Sequence, residues 1–198
     1  PTARHGHRSS RRRNPLPPSV WESWDDERLL ELEIRDLDVR IAGSGLDDVI
    51  AELRRELKAR GLRHFRPHFW LSDDWFTPDG ITGSAIPFYL AHPRLMRLER
   101  SQMGEVEGGT RDWCLKLLRH EVGHVVQQSY LLSKRRQWQR LFGLSSYSYP
   151  RFYRPNPSSR RYVHHLEYWY AQSHPDEDFA ETFAVWLSPE SDWRQRYE

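Results

Sequence analysis

His120-Glu121-Val122-Gly123-His124 is the stretch of this 198-residue chain whose residue types and spacing could do chemistry. Two histidines four positions apart share one face of a helix, so their imidazoles can converge on a single metal ion. Glu121 is turned to the side of that pair, where its carboxylate can reach a water beside the metal without becoming a ligand. Such a set does metal-assisted hydrolysis, with two imidazole ligands, a carboxylate base and one ligand still to be found. Zinc suits a mixed imidazole and carboxylate donor set and has no redox chemistry of its own. The bland alternative is an amphipathic helix with a buried histidine.

For the histidines to meet, the surrounding run must be helical. Leu115, Leu117, Leu118, Val122, Val125 and Val126 recur at helical spacing, as a buried helix requires. Thr110 can cap its start, and Asp112 places a negative charge in the first turn. Gly123, a poor helix former, marks a place where another backbone or a substrate comes close.

The third ligand lies outside this run. The extended motif H-E-x-x-H-x-x-G-x-x-H fails, because Gln127 and Tyr130 stand at its glycine and last histidine positions. Candidates after His124 are His164, His165, His174, Asp176, Glu177, Asp178 and Glu181. Pro175 can open a second helix, with Phe179, Ala180, Phe183, Ala184 and Leu187 as its apolar face. Glu177 and Glu181 then share one face. One can ligate while the other accepts a hydrogen bond from a ligand imidazole, and spacing leaves open which does which. His174 is the next candidate ligand, although a histidine just before a helix-opening proline also suits a cap. His164 and His165 are adjacent, so both cannot face one metal.

His120-Glu121-Val122-Gly123-His124 together with Glu177-Asp178-Phe179-Ala180-Glu181 resembles the gluzincin metallopeptidases, including the lethal-factor-like branch. More closely, Tyr170 through Ala184 resembles the second motif of the bacterial putative zinc-binding metallopeptidases. The likeness runs loosely from Trp24 to Leu187, and its specific parts are 120–124 and 170–187. It implies a zincin-like fold and one Zn2+ per chain. It makes Glu177 the third ligand and Glu181 the acceptor behind a ligand histidine. Tyr170 falls where lethal-factor-like enzymes place a tyrosine beside the scissile carbonyl.

Length and composition set the frame. The chain is long enough for one well-filled domain. Its net charge is +2, but residues 1–20 hold five arginines and no acid, so the remainder carries −3. The body is therefore not a basic nucleic-acid-binding domain, and only the tail with Arg11, Arg12 and Arg13 could contact nucleic acid. We expect a disordered basic tail over 1–20 and one metallopeptidase domain over 21–198. Within it, an α/β part reaches to about 130 and a helical part follows. The single cysteine, Cys114, excludes an internal disulfide and fits a reducing compartment. No signal-peptide core or membrane-length apolar run is present, which points to a cytoplasmic protein without a membrane partner. The chain opens on Pro1 rather than Met, as a trimmed chain would.

The order of elements reads as α+β. A short helix is expected over Asp25–Leu32, a strand over Ile34–Ile41, and an amphipathic helix over Leu46–Arg60. Strands are expected over Phe65–Leu71, over Ile81–Ala91 with a break at Pro87, and over Leu95–Leu98. Together they predict a small twisted mixed sheet beside the metal helix, with Gly83, Ser84 and Ala85 on an edge where an extended peptide could add. A helix containing Trp138, Leu141 and Phe142 follows. Residues 144–163 have no periodicity, and Tyr147, Tyr149, Phe152, Tyr153 and Arg154 either line a groove or pin this loop. That aromatic, arginine-containing segment hints at acidic or aromatic peptides.

The expected function is a zinc-dependent peptidase, an endopeptidase acting on a peptide or protein, in which Glu121 serves as general base towards a metal-activated water. Tyr170 would stabilise the oxyanion. The rival is a catalytically inactive zincin-like module that binds a protein partner, although a purely structural site has no need of Glu121.

Overall fold

The computed structural model describes residues 14–197. The described residues fall into two compact units, one ending at Val39 and the other starting at Arg40. Residues 21–39 thus group with those before them.

In the first unit, α1 (Pro18–Trp21) and α2 (Asp26–Leu30) are short. Trp21 is fully buried and donates its indole N–H to the Leu16 carbonyl over 2.9 Å. That anchor gives residues 16–20 a structure their composition did not predict, while residues 1–13 of the expected tail lie outside the described residues. Asp25 caps α2 by accepting from the Arg28 amide. The strand expected over Ile34–Ile41 does not form. Ile34–Asp36 make a 3-10 turn in which Asp36 accepts from the Glu33 amide (3.0 Å), and only Leu37 bridges, to Leu16. Local side-chain capping has outcompeted the extended ladder.

The second unit is mostly helical around a two-stranded sheet. Helix α3 (Leu46–Ala59) buries Leu46, Val49, Ile50, Leu53 and Leu57, the face its spacing requires. Strands β1 (His68–Ser72) and β2 (Gly83–Pro87) pair in parallel, His68 opposite Gly83 and Ser72 opposite Pro87. A Cβ at Gly83 would run into the His68 carbonyl, so the strands can close only on glycine there. Beyond Pro87 the chain turns into a 3-10 segment, Phe88–Ala91. The chain between the strands folds back so that Phe76 bridges antiparallel to Ala85, whose amide donates to the Phe76 carbonyl over 2.9 Å. The edge expected to be free for a peptide at Ala85 is therefore taken by the protein itself.

Leu95–Leu98, expected as a strand, belongs to α4 (Pro93–Met103). His92 caps it through Nδ1, Pro93 opens it, and Gly104 ends it at φ +79°. Next comes α5 (Arg111–Ser129), capped by Thr110 and buried from Cys114 to Gln127 on more than one face, so it runs through the core. Helix α6 (Arg136–Phe142) follows, residues 144–163 lack helix and strand, and α7 (Pro175–Leu187) lies against α5. The short α8 (Trp193–Arg196) closes the described chain. A paired side-chain fork joins α3 to α5, with Arg119 Nε and Nη2 on the two Glu56 oxygens at 2.8 and 2.5 Å. Among the described residues no helix is long and apolar enough to cross a membrane.

Candidate metal centre and active-site cleft

Two helices supply the centre. On α5, His120 and His124 lie one turn apart, with their Nε2 atoms separated by 3.1 Å. On α7, Glu177 sits in the first turn beside Asp176 and Asp178, where the helix dipole favours carboxylates. Its Oε2 lies 3.0 Å from His120 Nε2 and 3.2 Å from His124 Nε2. The helices can come this close because Gly123 faces Ala180, as a Cβ at Gly123 would fall 2.8 Å from Ala180 Cα.

Whether this triangle fits a metal can be judged from its size and charge. Ligand atoms about 2.0–2.2 Å from a tetrahedral zinc stand roughly 3.3 Å apart, close to the observed edges. The donors are the borderline imidazole and carboxylate that zinc takes. Charge agrees. Burial opposes protonation of His120, but the carboxylates of Glu177 and Glu181 outweigh it and raise its pKa to about 10. Burial likewise pushes Glu177 upwards, and hydrogen bonds from His120 and His124 reverse this and hold it well below the usual carboxylate range. The point between the three side chains is one where positive charge is stabilised. His120, His124 and Glu177 fit the ion.

Two of the three donors, His120 and Glu177, are held from behind. Glu181 is fully buried, and its Oε1 lies 3.0 Å from His120 Nδ1, which leaves Nε2 for the triangle. Its Oε2 accepts the amides of His165 (3.1 Å) and Leu166 (2.7 Å). Glu177 Oε1 accepts the Tyr149 hydroxyl at 2.7 Å. The sequence offers Tyr149 only as a groove or loop aromatic, since nothing periodic ties residue 149 to residue 177.

Glu121 lines the same cleft as the donors. Its Oε2 accepts from the Thr77 hydroxyl at 2.8 Å, and the Ser84 hydroxyl lies 3.2 Å away. Ser84 has one proton and also lies 3.1 Å from the Phe76 carbonyl, so Thr77 is the firmer partner. Oε1 of Glu121 has no hydrogen-bond partner among the described residues. Thr77 escaped sequence reasoning, and Ser84 was read only as a sheet-edge residue, because they lie 44 and 37 residues from Glu121 on the chain around β2.

Tyr170 lines the same cleft, its ring 5.8 Å from that of His120, with its hydroxyl free of any hydrogen-bond partner among the described residues. The two residues before it, Tyr168 and Trp169, adopt left-handed backbone at φ +58° and +53°. His174 is not aimed at the donors. Its Nδ1 caps α7 by accepting from the Asp176 amide (3.1 Å), and its Nε2 faces the Tyr147 carbonyl (2.8 Å). His165 Nε2 faces the Lys116 carbonyl, and His164 is exposed. Burial raises the Cys114 thiol to about 12, which removes it as a nucleophile.

The cleft has a volume of about 650 Å³. Asp74, Asp79, Glu107, Glu121, Asp176 and Glu177 contribute carboxylates to its lining, and no Lys or Arg does among the described residues. Of the 144–163 segment, Ser145 and Tyr149 line the cleft and Arg154 does not.

A family model described as putative zinc-binding metallo-peptidase matches residues 96–191. No curated protein and no solved structure matches the chain. Over 96–191, the segment that carries both helices of the donor triangle, the chain is similar to that family.

Proposed function

We propose that the protein is a zinc-dependent endopeptidase of the gluzincin type, with a zincin-like arrangement of α5, α7 and the small sheet. The observation that carries this reading is the triangle of His120 Nε2, His124 Nε2 and Glu177 Oε2 with Glu121 in the same cleft, its Oε1 free of a hydrogen-bond partner among the described residues. His120, His124 and Glu177 would hold one Zn2+, and Glu181 would keep His120 in the tautomer that presents Nε2. The ion, when bound, supplies the Lewis acidity that makes water a stronger acid and a carbonyl a better electrophile.

The remaining work falls to side chains. Thr77 holds Glu121 by one oxygen, so the other takes the proton as water adds to the carbonyl carbon. As the C–N bond breaks, Glu121 passes that proton to the leaving amine, giving a carboxylic acid and an amine, which at neutral pH part as carboxylate and ammonium. Tyr170, with its hydroxyl unpartnered, donates to the oxygen on which negative charge develops. Endopeptidase action would need a peptide to cross the cleft of about 650 Å³ that the donors, Glu121 and Tyr170 line.

The test is Glu121→Gln. The variant should retain the wild-type zinc content, by elemental mass spectrometry of dialysed protein, while cleaving a fluorogenic peptide library at least a hundredfold more slowly. Wild-type activity in Glu121→Gln would remove the general-base assignment. Zinc binding by the wild type without cleavage of any peptide would favour the inactive binding module.

A further inference from the structure

Residues 143–149 pass across the start of α7 and are fastened to it at each step. A Cβ at Gly143 would lie 3.3 Å from the Pro175 ring. The Ser145 hydroxyl donates to Asp176 Oδ2 (2.9 Å), while Gln127 of α5 donates to Asp176 Oδ1 (2.6 Å). The Tyr147 carbonyl accepts from His174 Nε2. The Tyr149 ring then stacks on the His174 imidazole, centroids 3.8 Å apart and planes within 12°. At the end of this strap the Tyr149 hydroxyl reaches Glu177 Oε1.

From this geometry we infer that Tyr149 is a positioning residue for the metal ligand Glu177: its hydroxyl occupies one carboxylate oxygen so that only the other is offered to the ion. The inference rests on the zinc reading of His120, His124 and Glu177. A free carboxylate can bind a cation through one oxygen or both, and among the described residues Tyr149 alone engages Oε1 of Glu177. Oε2 faces both histidines, whereas Oε1 meets a phenol whose ring is clamped by the stack on His174. A tyrosine kept for packing alone would need the ring and not the hydroxyl. The hydrogen bond therefore carries the argument, and Tyr149→Phe removes it while keeping the ring.

The experiment compares Tyr149→Phe with the wild type by competition against a chromophoric zinc chelator, and by the visible spectrum of the Co2+ forms. Loss of a partner behind a ligand weakens metal binding by roughly 10- to 100-fold, and that range is expected here. The Co2+ bands should weaken as Glu177 gains freedom to bind through both oxygens and the coordination number rises. The metal-free proteins should melt together, because the ring and its stack persist. Ser145→Ala loosens the strap at another point; it should weaken zinc binding by less, and add little on the Tyr149→Phe background. Unchanged zinc affinity and Co2+ spectrum in Tyr149→Phe would overturn the inference and leave the zinc reading intact. Additive losses, or a metal-free melt lowered along with affinity, would reduce Tyr149 to a packing role. A wild type that takes up no zinc overturns both, and weakened zinc binding in a protein that cleaves nothing leaves the inference standing without the peptidase.

Discussion

Gly123→Ala tests the contact on which the donor triangle depends. In a helix interior the substitution should gain about 1 kcal/mol of propensity. Here the new Cβ would stand 2.8 Å from Ala180 Cα, 3.1 Å from its carbonyl oxygen and 3.2 Å from its Cβ. Carbon atoms rest at about 3.5–4.0 Å, and Ala180 cannot swing aside because two of the three contacted atoms are backbone. The helices must part, by something approaching 1 Å if the whole clash is relieved by separation. Overpacking of this kind costs about 1–3 kcal/mol, so the net destabilisation is about 0–2 kcal/mol, up to roughly 8 °C in the melting temperature of a domain this size. Glu177 and Glu181 sit on either side of Ala180 in α7 and would move with it, opening donor separations that are now 3.0–3.2 Å. Zinc affinity should fall by an order of magnitude or more. Thermal melts with and without zinc, and chelator competition, measure the two effects. A Gly123→Ala protein that melts higher than wild type and binds zinc equally would refute the close approach of α5 and α7.

Glu56→Gln should cost about 3 kcal/mol in urea unfolding, because it leaves the Arg119 guanidinium (14% exposed) unpaired beside a buried position; a loss under 1 kcal/mol would mean that water replaces the carboxylate without penalty. Burial lowers the His165 imidazole to about 4, so the folded state refuses a proton that the unfolded chain takes up near pH 6.5. The associated stability is complete above pH 6.5 and is lost as pH falls towards 4, amounting to about 2 kcal/mol between pH 7.5 and 5. His165→Gln, which keeps a donor for the Lys116 carbonyl, should show a pH dependence flatter by that amount in chelator-treated protein, and an identical slope would contradict the assignment. The carboxylate-lined cleft should give Lys- and Arg-containing peptides a lower KM than their Glu-containing counterparts, a preference shrinking in 1 M salt and in Asp74→Asn. Equal KM values would show that the wall charge does not reach the substrate.

What the sequence revealed follows from the range of the interactions involved. The i, i+4 spacings that put His120 with His124, and Glu177 with Glu181, are local, as are the Thr110 cap and the Pro175 start, and α5 and α7 begin where those signals stand. Gly123 could be read as a point of close approach, though not which chain would approach. The misreadings were also local contests. Leu95 and Leu98 looked like a strand until His92-Pro93 and Gly104 are weighed as start and stop signals, and Ile34–Ile41 gave way to a capped turn. As partners of carboxylates, Thr77, Ser84 and Tyr149 were beyond reach for another reason. Each meets its carboxylate partner across 28 to 44 residues, through a loop or strand whose path no periodicity records.

The division of the centre between α5 and α7 has a consequence for how the protein could be assembled. All of its parts lie on two stretches of chain, one ending with the strap at Tyr149 and one beginning before Tyr170, and the link between them has no helix or strand. Severed between Asn156 and Arg161, the protein would become a pair of complementary fragments, one bearing His120, Glu121 and His124, the other Glu177 and Glu181. Neither piece alone owns a complete donor set. Their reunion would be bimolecular, fall off on dilution, and be strengthened by zinc in proportion to its preference for the joined form. Peptide cleavage would then report on whether two molecules have met.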